Sequence, residues 1–388
     1  MNYVKIGDVC SIHARIGWQG LTKKEYLMDG DYYLVTGVDF LDGNVDFRHC
    51  YFVSKDRYEQ DVHIQVEKDD VLITKDGTIG KVAYVAEKPQ KPATLNSGVF
   101  VVRPQSTKQL LPRYLKYALE SNHFSRFIES IKVGCTIPHL NQEKFLNYRI
   151  ALPSLVEQKN IIEQLDIVYS LLSKKKSQIF MMDELVKSRF VEMFGDNETN
   201  PFGWKQSRVG DCCTLKSGTS LPAEVENEGG PIPYVKVGDM NYPGNERYIT
   251  TSSRYVSLAT AGNGIFEVGS IIFPKRGGAI GTNKKRMTKL PISADLNIMG
   301  VSSKGALLPE YLLVYFDMID LGALSDGSSV PQINNKNIAP LRICLPPMEL
   351  QKEFAAFVAE VDKSKLTVKQ SLEKLETLKK SLMQQYFG

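Results

Sequence analysis

The sequence predicts an α+β protein: two pseudo-twofold-related α/β domains separated by a long antiparallel two-helix coiled coil. Three observations carry that prediction. First, the chain is written twice. Phe194-Gly195 recurs as Phe387-Gly388, an offset of 193 positions (388 minus 195). At that offset Ile137-Pro138, Asn141, Arg149-Ile150, Leu152-Pro153 and Gln158-Lys159 meet Val330-Pro331, Asn334, Arg342-Ile343, Leu345-Pro346 and Gln351-Lys352. The openings match too, Ile6-Gly7-Asp8 with Val209-Gly210-Asp211 and Gly77-Thr78-Ile79-Gly80 with Gly278-Ala279-Ile280-Gly281. Second, each copy begins with short β-type runs bounded by Gly and Pro. Third, each copy ends in a long stretch with neither residue. A repeat of this length is a module able to own a core, not a solenoid unit.

The first part of each copy reads as a mixed α/β domain with a small sheet. Val71-Leu72-Ile73-Thr74 stops at Lys75-Asp76-Gly77, Val99-Phe100-Val101-Val102 stops at Arg103-Pro104, and Ser270-Ile271-Ile272-Phe273 stops at Pro274. Apolar runs of this length closed by turn residues are strand signals. Helices are expected from Pro112 to Ile131 and from Pro309 to Leu321, each with proline near its start.

After Leu152-Pro153 and Leu345-Pro346-Pro347 the pattern changes. No Gly or Pro falls between Val156 and Phe194, or between Met348 and Phe387. Positions there recur at alternating steps of four and three from Ile161 to Met193 and, 193 residues on, from Phe354 to Tyr386. Apart from Lys175, Arg189, Lys365 and Lys379 they are apolar, among them Ile161, Leu165, Val168, Leu172, Ile179, Met182 and Val186, then Val358, Val361, Val368, Leu372, Leu375 and Leu382. This is a coiled-coil seam. About 39 residues of helix would span roughly 58 Å, longer than a small domain is wide. The expected division is domain one at 1–153, helix one at 154–195, domain two at 196–347 and helix two at 348–388. The stretch from Asn197 to Trp204 serves as the joint. Because the chain must run back for the two helices to pair, the pair is antiparallel; parallel pairing between two chains is the competing solution.

Bulk composition is that of a folded chain, 43% hydrophobic and 24% charged, with a net charge of +4. The charge is uneven. Lys88 to Leu119 and Val268 to Ala294 each carry six cations and no acid, which favours a polyanion partner over an ordinary solvated face. The six cysteines form no CxxC pair and read as buried apolar residues in a reducing cytoplasm. The start MNYVKIGDVC has no apolar core of a leader, and no run of about 18 apolar residues offers a membrane span.

Twin domains held apart and inverted suit a linear ligand with dyad character, and double-stranded DNA is the obvious one. Candidate contacts follow from loop chemistry. Thr74, Lys75 and Lys81 in the first copy and Lys275 and Arg276 in the second border glycine-rich turns at a strand end, where backbone can approach phosphate closely. Lys284, Lys285 and Arg286 follow shortly after. Arg15, Trp18, Gln19, Lys23 and Lys24 combine cations, an amide and an aromatic ring between glycines; Lys216 and Thr219 occupy the corresponding loop. Incidental lysines on tight turns would look the same. No P-loop, G-x-G-x-x-G, nucleophile elbow, His-Glu-x-x-His or clustered acid set appears, so catalytic and metal sites are expected to be absent.

These residues carry a resemblance. The duplicated Ile/Val-Gly-Asp opening, Pro201-x-Gly203-Trp204, Tyr234-Val235 with Gly238-Asp239-Met240, Ile137-Pro138-x-Leu140-Asn141, Leu152-Pro153 with Glu157-Gln158, and the long helix ending in Phe-Gly resemble the specificity subunit of type I restriction-modification systems. The resemblance implies two target recognition domains, each reading half of a bipartite DNA site, and a coiled coil that sets the spacer. It implies docking of two methyltransferase subunits and a restriction/translocase subunit. S-adenosylmethionine, ATP and Mg would then lie on those partners, with no cofactor on this chain. The first copy departs from the pattern in lacking Pro-x-Gly-Trp, and Leu350 stands where the first copy has Glu157, so the helices' docking surfaces are expected to be unequal. A non-DNA scaffold that bridges two copies of a partner is the alternative reading.

Overall fold

The computed structural model describes residues 2–132, 138–325, 328 and 330–388. Ile137, one of the six cysteines (Cys135) and the side chain of Trp18 lie outside the described residues. Two compact units result, Met1–Lys175 with Ser371–Gly388, and Lys176–Gln370.

Unit 1 is built on a six-stranded sheet in the order Cys10–His13, Val99–Pro104, Val71–Thr74, Val82–Tyr84, Asn44–Val45, Phe40–Leu41. A three-stranded sheet (Tyr51–Val53, Tyr32–Val35, Ala93–Leu95) and a two-stranded one (Tyr3–Lys5, Arg149–Ala151) complete it. Unit 2 repeats the plan. Its main sheet runs Cys213–Ser217, Ile298–Ser303, Ile271–Pro274, Arg286–Thr288, Tyr248–Ile249; its smaller sheets are Tyr255–Val256, Ile232–Val235, Ser293–Ala294, and Lys205–Arg208, Arg342–Leu345. Parallel pairs fall at matching places: Tyr33 with Ala93 and Tyr234 with Ser293.

The central strands carry runs of consecutive apolar residues because both sheet faces are covered. Successive side chains point to opposite faces. Val71, Ile73, Phe100 and Val102 therefore enter one core, with Tyr114 and Leu115, while Leu72, Val99 and Val101 enter another, with Val35 and Leu95. Unit 2 divides likewise: Ile271, Phe273, Met299 and Val301 on one side, Ile272 and Ile298 on the other.

The single helix expected over 112–131 is two, Pro112–Leu119 and Asn122–Lys132. Ser121 makes the break: its hydroxyl donates to Ala118 O at 2.7 Å and accepts from Phe124 N–H at 3.2 Å, capping the second helix. The unit 2 counterpart is shorter than expected, Pro309–Asp317.

The Gly-Asp openings have a packing cause. A Cβ built on Gly7 would lie 3.0 Å from Leu146 Cδ2, and one on Gly210 would lie 2.8 Å from Ala339 Cβ. Only glycine lets these short helices approach. Pro201-x-Gly203-Trp204 also has a local role. Asn200 and Gly203 take left-handed φ values of 44° and 66°, and the Trp204 indole N–H donates to Phe194 O at 3.0 Å, capping the helix end.

Two 40-residue helices, Leu155–Phe194 and Met348–Phe387, follow the sheets. Each unit contains a stretch of both, paired antiparallel. In unit 1, Gln164 meets Tyr386 (2.7 Å) and Tyr169 meets Lys379, so numbers rise on one helix as they fall on the other. In unit 2 the order is the same: Asp183 pairs with Lys365, and Phe190 meets Phe354 edge to face at 5.5 Å between centroids. None of the named seam positions is exposed. The heptad rule fails only at the C-terminal ends. Phe190, Phe194, Met383 and Phe387 are buried there, one residue beyond the heptad positions Arg189, Met193, Leu382 and Tyr386. Each end packs on the sheet domain of the other copy, Phe190 and Phe194 of the first long helix against Tyr311 in unit 2 and Phe387 of the second against Tyr114 in unit 1. A face that turns from a partner helix to a domain leaves the 3.5-residue period.

Each helix start is clamped by a twin glutamine. Gln158 and Gln351 are fully buried. The Gln158 side chain accepts from Leu111 N–H (2.9 Å) and donates to Gln109 O and Pro153 O (2.9 and 3.0 Å). Gln351 accepts from Leu308 N–H (2.8 Å) and donates to Ala306 O and Pro346 O (3.1 and 2.9 Å). Glu157 closes a capping box with Ser154, whose hydroxyl and N–H hold its carboxyl below the ordinary range. Leu350 instead packs on the unit 2 core. The difference noted between the copies is thus one of capping.

Candidate nucleic-acid interface

The two glycine-rich turns are built alike. Strands Val71–Thr74 and Ile271–Pro274 each deliver a lysine to a crossing of three segments. The Lys75 N–H donates to Gly98 O (2.8 Å) and its carbonyl accepts from Leu140 N–H (2.9 Å); the Lys275 N–H donates to Asn297 O (2.8 Å) and its carbonyl accepts from Ile333 N–H (2.9 Å). Gly77 and Gly277 follow at φ 68° and 73°, where a side chain would be strained. The buried residues that close the turns are Ile79 and Ile280. Their offset is one greater than that of the glycines, so the second turn holds one extra residue.

At these turns the structure gathers cations at the surface. Lys81 and Arg276 are exposed, and Lys75 and Lys275 are half-buried at the base. Lys275 Nζ donates to Ser217 Oγ at 2.9 Å, which brings the strand Cys213–Ser217 and the exposed Thr219 to the same loop cluster. Burial, then the Arg276 charge, pulls the Lys275 ammonium below its ordinary pKa. An added anion would relieve that cost. Lys23 and Lys24 stand exposed on a turn held by the Thr22–Glu25 capping box.

Several other candidates are not surface groups. Arg15 is buried, and its guanidinium donates to Leu95 O (3.0 Å), Gln60 Oε1 (3.2 Å), Arg57 O (3.3 Å) and Thr94 Oγ1 (3.2 Å). Gln19 is buried as well. Thr74 closes its turn from inside, its hydroxyl donating to Thr78 O (2.5 Å) and accepting from Lys81 N–H (2.9 Å). Lys216 turns inward to Ile265 O at 2.6 Å, over the Phe266 ring.

The run 284–286 also departs from expectation. Lys284 bonds the Asn241 side chain. Lys285 is buried, donating to Asn283 Oδ1 (2.7 Å) and Ile319 O (2.6 Å) just past the helix Pro309–Asp317, where a cation complements the terminal carbonyls. Burial pushes its ammonium down to about 8. Arg286 is half-buried and donates to Lys285 O at 2.8 Å.

Three of the six cations in the acid-free run of unit 1 are paired with acids outside it. Arg103 pairs with Asp70 (2.6 Å), Arg113 with Asp166 (2.7 Å) and Lys116 with Glu120 (3.0 Å). Sequence reasoning passed over Asp76, His139 and Gln332, which share the two turns. The 193-residue offset that links His139 to Gln332 was the available signal. Among the described residues, no helix is long and apolar enough to cross a membrane.

A model of the type I restriction modification DNA specificity domain matches residues 1–180 and 201–377. The MjaIX specificity subunit of Methanocaldococcus jannaschii is 24% identical over 314 residues, 75% of this chain and 70% of that protein. The EcoKI specificity subunit of Escherichia coli is 22% identical over 407 residues, 95% of this chain and 85% of that one. The crystal structure of a type I S subunit from M. genitalium superposes with a TM-score of 0.54 at 16% identity, covering 100% of this chain and 96% of that chain.

Proposed function

The chain belongs to the type I restriction-modification DNA specificity family, and from that premise we propose that it is the sequence-reading subunit of a methyltransferase or endonuclease complex. Each sheet domain reads one half of a bipartite duplex site. The long helices set the spacer and dock two methyltransferase subunits, which bring S-adenosylmethionine; a restriction/translocase subunit brings ATP and Mg. The chain itself carries no catalytic group and works in the cytoplasm.

The observation that carries this reading is the twin turn. Two modules of one plan present a lysine on the same backbone scaffold, as two readers of one duplex require. The paired helices support the spacer, because a packed helix pair cannot stretch. Exposed apolar residues on the first long helix, Ile167 and Leu171 in its unit 1 stretch and Phe180 and Leu185 in its unit 2 stretch, support protein docking there.

Duplex binding by the chain with its methyltransferase partner tests the reading. Log K should fall linearly with log salt, because cations that meet phosphates release counterions. Negligible affinity at every salt concentration would refute it.

A further inference from the structure

The matched backbone contacts of the two turns allow their side chains to be compared position by position. Since the Lys75 and Lys275 carbonyls accept from Leu140 and Ile333, the residue after each lysine stands opposite the residue before Leu140 or Ile333. Asp76 therefore faces His139, and Arg276 faces Gln332, the latter as an antiparallel bridge. Directly opposed residues of an antiparallel pair project to the same side. His139 Nδ1 and the Asp76 carboxylate are hydrogen-bonded accordingly. Asp76, His139 and Arg276 are exposed and Gln332 is half-buried.

We infer that these two cross-strand pairs are specificity-determining residues, while Lys75 and Lys275 hold phosphate without regard to sequence; the inference rests on the DNA-reading function proposed above. Phosphate is the same in every half-site, and the lysine is the same in both copies. Base edges differ between half-sites, and the neighbouring pair differs too, with acceptor Asp76 in one copy where donor Arg276 stands in the other. Arg276 offers a donor fork suited to guanine O6 and N7, and Gln332 has the donor and acceptor that match adenine N7 and N6. Asp76 can only accept when ionised, which suits the cytosine N4 amine. His139, engaged with Asp76 through Nδ1, keeps Nε2 for a base edge. The second turn thus favours purines and the first a cytosine-bearing pair.

The test uses the full chain with its methyltransferase partner and selection from a randomised duplex library. Exchanging the second pair for the first, Arg276→Asp with Gln332→His, should change the preferred base at one or two positions of one half-site by about 10- to 100-fold. The other half-site should keep its sequence. Lys275→Ala should weaken every duplex by a common factor and reduce the salt slope by about one. Arg276→Ala alone, which leaves the backbone bridge in place, should relax discrimination at one position and covers the case of an unstable double variant. Unchanged base preference in these Arg276 variants would overturn the inference while leaving DNA reading intact. A wild-type complex that selects no sequence would overturn both.

Discussion

Replacing Gln158 by leucine should loosen the joint between the first long helix and its sheet domain by about 3 kcal/mol. The figure comes from three hydrogen bonds. The Gln158 carbonyl oxygen is the partner of the Leu111 N–H, and its amide serves Gln109 O and Pro153 O, all at 2.9–3.0 Å around a side chain with no solvent exposure. Leucine has similar volume, so no cavity confuses the result. It leaves one donor and two acceptors bare, each costing about 1 kcal/mol at the low end. Gln351→Leu repeats the experiment in the other unit, where the partners are Leu308, Ala306 and Pro346. Amide hydrogen exchange reads the effect directly. Leu111 N–H in the first variant and Leu308 N–H in the second should exchange about 100-fold faster, each with its counterpart unchanged. Equal protection of Leu111 in wild type and Gln158→Leu, with unchanged stability to urea, would refute the clamp.

Two more outcomes follow from the geometry. Arg15→Leu should destabilise unit 1 by about 3 kcal/mol, since Leu95 O, Thr94 and Gln60 lose buried partners. Its folded fraction should keep wild-type DNA affinity, and a selective loss of DNA binding at unchanged melting temperature would restore Arg15 as a contact residue. Inserting one heptad after Lys175 and one after Gln370 keeps the antiparallel register and adds about 10 Å of helix. The preferred separation of the half-sites should grow by about three base pairs at 3.4 Å each; an unaltered separation would show that the helices do not set it.

Much of this protein is determined by the sequence alone, and the reason is locality. The twofold writing of the chain, the strands at Val71 and Ile271 and the two long helices all rest on patterns within a few residues: apolar runs stopped by Gly or Pro, and steps of three and four. Even the departure at Glu157 and Leu350 was visible, although its meaning, a capping box in one helix and core packing in the other, needed neighbours in space. What only the tertiary structure decided is which cations are already satisfied. Arg15 looked like a surface group in its loop, yet its partners lie as far as Leu95, 80 residues on. Arg103 and Arg113, in a run without acids, meet Asp70 and Asp166. A charge is free or spent according to what folding brings beside it, and sequence distance carries no record of that. The same folding set Asp76 against His139 and Arg276 against Gln332, pairs that no local pattern marks.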